Sequence, residues 1–293
     1  MMDQQDVAVR GLASSGHVRG MACVTTQLVN TLRRRHDTWP VASAALGRTV
    51  SVAAMMALLL KDKERLTVQI DGDGPLGRIV VDTDGRGSVR GYVDNPHVNL
   101  PSNSQGKLDV GGAVGNGMLF VIRDMGLKDV YRGSCELQTG EIGDDFTYYF
   151  TMSEQVPSGV GAGVLVNTDG SILAAGGFMV QLLPGYVEDE LTELEERLKN
   201  LHSVTELLCH STGAVDLLLQ VIPGANVLDT RPIQFACTCS RDRMVEVLHS
   251  LGRRELEKLV SEQEGAEIRC HFCNRKYVFN PSELEQMVRD ANH

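Results

Sequence analysis

The chain has no basic excess. Its 28 Lys and Arg residues face 38 Asp and Glu, a formal charge of -10, and that balance excludes a general binder of nucleic acid or anionic membrane, since both need a basic footprint. It has no long hydrophobic run: the longest largely apolar stretch, 50–60, has 11 residues against the roughly 20 that span a bilayer. The opening MMDQQDVAVRG lacks the basic and apolar regions of a secretory signal. Asn280-Pro281-Ser282 is blocked as a glycosylation acceptor by its proline. Aromatic residues are few, at 5 %, which leaves Met and Leu to supply much of the apolar packing. What is present, 42 % hydrophobic and 23 % charged residues over 293 positions, is the balance of a folded protein with room for one large domain or two. A cytoplasmic protein is expected. Thiols stay reduced there, so clustered cysteines point to metal or redox chemistry more than to structural disulfides.

Patterning predicts an α+β protein in three parts. Residues 1–185 read as an N-terminal domain with a mainly antiparallel sheet and packed helices. Pro40 opens an apolar helix over 41–61, and strands are expected at 66–71, 76–82, 88–93, 118–123 and 130–137. A helix is expected at 141–154, then a hairpin of 160–167 with 172–181 turning at Thr168-Asp169-Gly170. The connections are too short for repeated parallel crossovers. Residues 186–230 read as a helical acidic linker: Glu188, Asp189, Glu190, Glu193, Glu195, Glu196 and Glu206 meet only Arg197 and Lys199 over 186–210. Leu191, Leu194, Leu198 and Leu201 form one apolar stripe on it, which should dock on the first domain. A second apolar helix is expected at 214–222. The remainder, 231–293, holds ten basic and ten acidic residues, so the net charge belongs wholly to the rest of the chain. Helices at 240–251 and 253–261, a hairpin at 267–279 and a closing helix from Pro281 are expected there.

No catalytic arrangement stands out, neither Ser-His-Asp, Cys-His nor paired carboxylates, and an enzyme is not expected. Gly72-Asp73-Gly74-Pro75-Leu76-Gly77 matches the dinucleotide fingerprint by letter, but a strand follows it where the fingerprint needs a helix, so a tight hairpin is the reading. The run 111–117 lacks the Lys-Ser/Thr ending of a phosphate loop and is read as a turn. Glu141, Asp144 and Asp145 suit the dipole of the helix they open.

Four of the seven cysteines lie in the C-terminal part, as Cys237-Thr238-Cys239 and Cys270-His271-Phe272-Cys273. Two close thiol pairs in a reduced compartment are a strong zinc signal, because soft, charged thiolates close a tetrahedron and leave no open position for a hydrolytic water. His271 sits between ligands, but four thiols make it unnecessary. Such a site is a permanent structural clip or, alternatively, a redox switch. For the switch speak the Cys-x-Cys spacing, unusual in zinc ribbons, and the proximity that lets each pair close a local disulfide. Cys23, Cys135 and Cys209 are isolated in apolar or strand contexts and read as buried, inert thiols.

Further segments carry a resemblance. They are the 72–77 glycine segment, Val89-Arg90-Gly91-Tyr92-Val93 with Asn95-Pro96, Thr139-Gly140-Glu141-Ile142, and Tyr148-Tyr149-Phe150. Ser153-Glu154-Gln155-Val156-Pro157-Ser158 and Ala174-Ala175-Gly176-Gly177-Phe178 leading to Gln181-Leu182-Leu183-Pro184-Gly185 follow. With the two cysteine segments, Leu251-Gly252 and Asn274, the whole chain resembles the heat shock protein 33 family, redox-regulated holdase chaperones of bacteria. The glycine-heavy 159–163 departs from that pattern, and Cys135 and Cys209 match no motif in it.

The resemblance implies one zinc per chain in a reduced form of little activity, held by Cys237, Cys239, Cys270 and Cys273. It implies disulfides Cys237–Cys239 and Cys270–Cys273 on oxidation, zinc release, and unfolding of the C-terminal switch. It also implies a homodimer when oxidised, which holds unfolding clients without ATP and passes them to ATP-dependent foldases. The stripe Leu191, Leu194, Leu198 and Leu201, with the sheet face it covers, is the expected client surface. A constitutive zinc-ribbon binding protein and a thiol-disulfide oxidoreductase are the competing readings. The neutral C-terminal part within an acidic chain speaks against nucleic-acid binding by the first. Against the second, neither pair opens a helix after a thioredoxin-like strand.

Overall fold

The structure, a computed structural model, describes residues 5–262 and 265–290. Residues 1–4, part of the opening in which no secretory signal is read, lie outside the described residues. The chain divides after Ala236 into two compact units.

The first unit contains two sheets. One has the order β10 (Asn226–Pro232), β1 (Val7–Leu12), β2 (Val18–Val24), β9 (Ile172–Leu182), β8 (Ser158–Val166), antiparallel throughout. The other runs β11 (Gln234–Phe235), β5 (Ser88–Val93), β4 (Arg78–Asp84), β3 (Arg65–Gly72), β6 (Gly117–Asp124), β7 (Tyr131–Glu136), antiparallel except for the short β11–β5 pair. The central helix α2 (Pro40–Ala57) packs on strands of both, after the shorter α1 (Thr26–His36). Proline at its first turn and a nearly charge-free sequence let α2 be buried on all sides. By length and composition it is apolar enough to cross a membrane, but here it is the core. Its Leu46, Met55 and Met56 pack with Leu66, Ile70 and with Phe146, Tyr149 and Phe150 of α4 (Gly143–Met152).

Differences from the sequence expectations are local. The helix from Pro40 stops at Ala57, not 61: Leu58, Leu59 and Leu60 bond three residues back to Met55, Met56 and Ala57, tightening the last turn before Lys61. β4 starts at Arg78, because Leu76 bonds to Ala113 and Gly77 takes a left-handed turn at φ +65°. The glycine run at 111–117 is not only a turn; it contains α3 (Val110–Val114), capped by the Asp109 carboxylate, which accepts from Gly112 N–H at 3.0 Å. Asp145 does more than suit a dipole. Its buried carboxylate accepts from the N–H groups of Gln138, Thr139, Gly140 and Ile142 and so builds the loop before α4.

Residues 186–230 lie within the first unit. Helices α5 (Glu188–Lys199), α6 (Val204–His210) and α7 (Ala214–Val221) cover the outer face of the five-stranded sheet. Val9, Val18, Ala22, Phe178, Val180 and Leu182 come from the sheet; Leu207, Leu208, Leu217, Leu218 and Val221 come from the helices. Glycines pave this face. A Cβ on Gly20 would meet Ile222 Cδ1 at 2.5 Å, one on Gly159 would meet Leu198 Cδ1 at 2.8 Å, and one on Gly161 would meet Val204 Cγ2 at 3.0 Å. The glycine-heavy stretch that departs from the family pattern is therefore part of the seat of α5 and α6. At the start of α5, Glu190 clasps the β1–β2 turn through His17 Nδ1 at 2.9 Å.

The second unit is smaller. It holds α8 (Arg241–Ser250), α9 (Arg253–Glu262), the hairpin β12 (Ala266–Arg269) with β13 (Lys276–Phe279), and α10 (Pro281–Asp290). Among the described residues, Leu248, Leu256, Phe279, Leu284 and Met287 are its buried apolar side chains beyond the site itself.

Candidate metal centre

Each cysteine pair is set by local structure. Cys237 and Cys239 lie just before α8, whose first turn is capped by Ser240 Oγ accepting from Arg243 N–H at 3.2 Å. Cys270 and Cys273 occupy the turn between β12 and β13. Cys270 N–H donates to Arg275 O at 3.0 Å, and Asn274 N–H donates to Cys270 O at 2.8 Å with Asn274 in the left-handed region at φ 56°. Asparagine tolerates that conformation better than most side chains.

These two segments bring all four sulfurs within 4.8 Å of one another. Cys237 and Cys270 approach to 3.7 Å, and Cys239 and Cys273 to 3.3 Å. Zn–S bonds of ~2.3 Å at tetrahedral angles put sulfurs about 3.8 Å apart, so the four thiols fit one tetrahedral cation. The ligand-type cluster among the described residues comprises these four thiols, without His271. All four predicted ligands are therefore brought together.

The Tyr277 hydroxyl donates to Cys239 Sγ at 3.1 Å, a contact that no spacing in the sequence announces. Burial opposes ionisation of Cys239, but hydrogen bonds from Tyr277 and the other three thiols outweigh it and bring the thiol down to about 7. Burial holds Cys270 and Cys273 above the usual thiol value. Ionisation is thus easier at Cys239 than at Cys270 or Cys273, and the thiolate is the form that binds cations and reacts with oxidants.

The other cysteines differ among themselves. Cys23 is buried and pushed up to about 12 by loss of solvent, and Cys135 is likewise buried and raised to about 11. Both are buried, as expected, and loss of solvent disfavours their thiolate forms. Cys209 is not: it is exposed on α6, because Leu207 and Leu208 are the residues that this helix turns inward.

The leucine stripe docks as expected but shallowly. Leu191, Leu194, Leu198 and Leu201 are half-buried at the margin of the cluster, and α5 has no fully buried residue. The deeper anchors are Leu207, Leu208, Leu217 and Leu218. The expected helix at 214–222 contains two of these, so an apolar run with few acids was the signal for them.

Comparison with known proteins gives a consistent result. The profile of the family described as Hsp33 protein matches residues 6–280. A protein of Geobacillus kaustophilus named 33 kDa chaperonin is 50 % identical over 289 residues, covering 98 % of each chain. Its Bacillus subtilis namesake is 47 % identical over 282 residues, 96 % of this chain and 97 % of that one. The crystal structure of the 33 kDa chaperonin of Thermotoga maritima superposes with a TM-score of 0.92 at 37 % identity, covering 98 % of this chain and 99 % of that one.

Proposed function

The chain belongs to the heat shock protein 33 family of chaperones, and from that premise we propose that it is an ATP-independent holdase switched on by oxidation of a zinc-binding thiol cluster. The observation that carries the reading is the cluster of Cys237, Cys239, Cys270 and Cys273 within 4.8 Å, in a unit with few other buried apolar side chains. Zinc held by four thiolates supplies roughly 10–16 kcal/mol of apparent binding energy, which in small modules is folding energy. A core of this size supplies about 3–5 kcal/mol alone. The second unit therefore depends on its thiolates.

Oxidation acts on those thiolates. In each pair, Cys237 with Cys239 and Cys270 with Cys273, two thiolates give up two electrons and form an S–S bond. A peroxide accepts the electrons and two protons as its O–O bond breaks, leaving two waters. The disulfides no longer ligate a cation, and the second unit unfolds. Loss of the folded unit loosens α5 and α6 from the glycine-paved face, which bares apolar surface on helix and sheet. Leu191, Leu194, Leu198 and Leu201, with that face, hold unfolding clients. The acids of α5 keep the opened form soluble. The protein works in the cytoplasm as a non-enzymatic chaperone, dimeric when oxidised, and hands clients to ATP-dependent foldases.

The test compares suppression of client aggregation by the reduced and peroxide-treated chain without ATP. Holding only after oxidation, weakened when Leu194 and Leu198 are both replaced by Ser, supports the reading. Equal holding before and after oxidation contradicts it.

A further inference from the structure

A buried hydroxyl stands against one of the four thiols. Strand β13 reads KYVF and turns Tyr277 and Phe279 inward. Pairing of Ile268 with Tyr277 fixes that ring in the hairpin, four residues beyond Cys273. A buried tyrosine hydroxyl finds a hydrogen-bond partner, and here the partner is a sulfur, Cys239 Sγ at 3.1 Å. The Arg275 guanidinium hydrogen-bonds the same hydroxyl. A guanidinium only donates, so the oxygen accepts from Arg275 and its single proton is left for Cys239. Cys237 is half-buried like Cys239. Its sulfur meets Cys270 at 3.7 Å, and no hydroxyl reaches it among the described residues.

Hydrogen bonds to ligand sulfurs tune a metal centre from outside its ligand set. Where all four sulfurs are held as thiolates, a donated proton draws charge density off Cys239 and lowers its nucleophilicity. We propose that Tyr277 is a positioning residue that shields Cys239 from oxidants and so sets how much oxidant the switch needs. The inference rests on the oxidation switch proposed above and deepens it. The step it slows is attack of the Cys239 thiolate on a peroxide. There an S–O bond forms as the O–O bond breaks, sulfur gives up two electrons, and hydroxide leaves to take a proton as water. The Tyr277 bond weakens as sulfur loses its negative charge, so it stabilises the starting thiolate more than the transition state. Cys237 carries no such restraint and is the sulfur attacked first in its pair. It becomes the sulfenic acid, and Cys239 displaces hydroxide from it to form the S–S bond.

The experiment treats the full reduced, zinc-loaded chain with limiting iodoacetamide and reads initial alkylation rates at each cysteine by peptide mass spectrometry. The proposal predicts that Cys239 reacts about tenfold more slowly than Cys237, the order of one hydrogen bond to a charged group. Tyr277→Phe keeps the ring and removes the hydroxyl. It should quicken Cys239 about tenfold, leave the other three rates unchanged, and release zinc at a lower peroxide dose. A variant that quickens all four cysteines alike has only loosened the unit, and overturns the proposal. So does a folded variant in which Cys239 reacts no faster. If the variant does not fold, the parent decides: equal rates at Cys237 and Cys239 overturn the inference and leave the switch reading standing. A parent that keeps its zinc through peroxide treatment overturns the switch reading, and this inference with it.

Discussion

Gly161 of β8 lies so close to Val204 of α6 that a Cβ on the glycine would stand 3.0 Å from Val204 Cγ2 and 2.7 Å from Phe178 Cε1. The absence of a side chain there is what lets the linker helix settle on the sheet. Gly161→Val should wedge them apart at a cost of about 1–3 kcal/mol, which raises the open population roughly 5–150-fold. Client holding by the reduced variant, before any oxidant, should rise accordingly. A reduced variant as inactive as the parent would show that the linker seat does not restrain activity.

Metal removal should separate the two units. Chelation of the reduced chain should unfold 237–293 while the first unit keeps its own large core. Far-ultraviolet circular dichroism should show a partial loss of helix, and Cys270→Ser should behave as the chelated parent. A second unit that keeps its protected amides without metal would contradict the dependence.

The proposed unfolding switch needs the disulfides that the family resemblance implies, Cys237–Cys239 and Cys270–Cys273. Sulfurs also approach across the pairs, Cys237 to Cys270 at 3.7 Å and Cys239 to Cys273 at 3.3 Å, 33 and 34 residues apart in sequence. Bridges there would restrict loops worth about 4 kcal/mol each and hold the unit together. Bridges within each pair close very short loops, restrict the unfolded chain little and let the unit open. Peptide mapping of the peroxide-treated chain should find Cys237–Cys239 and Cys270–Cys273; long-range bridges as the main product would sink the unfolding switch.

Asp6 gives the first unit a pH dependence. Its buried carboxylate accepts from Gln27 N–H at 3.1 Å and Leu28 N–H at 2.5 Å at the start of α1, yet burial outweighs these bonds and raises it from 3.8 to about 6. The folded chain therefore holds this proton more tightly than the unfolded one. Its stabilisation is complete below about 3.8 and is lost as pH rises through about 6. Relative to Asp6→Asn, the parent should lose roughly 2–3 kcal/mol of unfolding free energy between pH 4 and 7. Denaturant titrations of both proteins check this; a difference that stays flat or grows with pH refutes it.

Much of the site was legible because cysteine spacing is a chemical constraint: Cys237, Cys239, Cys270 and Cys273 can meet only through a turn at each pair. The Tyr277 bond to Cys239 was not, since it depends on how a hairpin folds back on a distant loop. In the fold, β5 at Ser88–Val93 was readable from clean alternation in SVRGYV. β1 and β2 carry Gly11 and Gly20 where alternation would place a large side chain, and both glycines are spent admitting Leu218 and Ile222 of the linker segment. α1 was hidden by its Arg33-Arg34-Arg35-His36 ending, which leaves a short apolar stripe of Leu28, Val29 and Leu32. Where a residue's type answers to a distant partner, local pattern is blank.

The central claim is that thiolate oxidation and client holding are one event. A peroxide titration of the full reduced chain, with released zinc and suppression of client aggregation read from the same samples, tests it most directly. The account predicts one zinc released per chain, with both signals rising over the same oxidant range. Holding that rises while zinc stays bound, or zinc fully released with no holding, would contradict it.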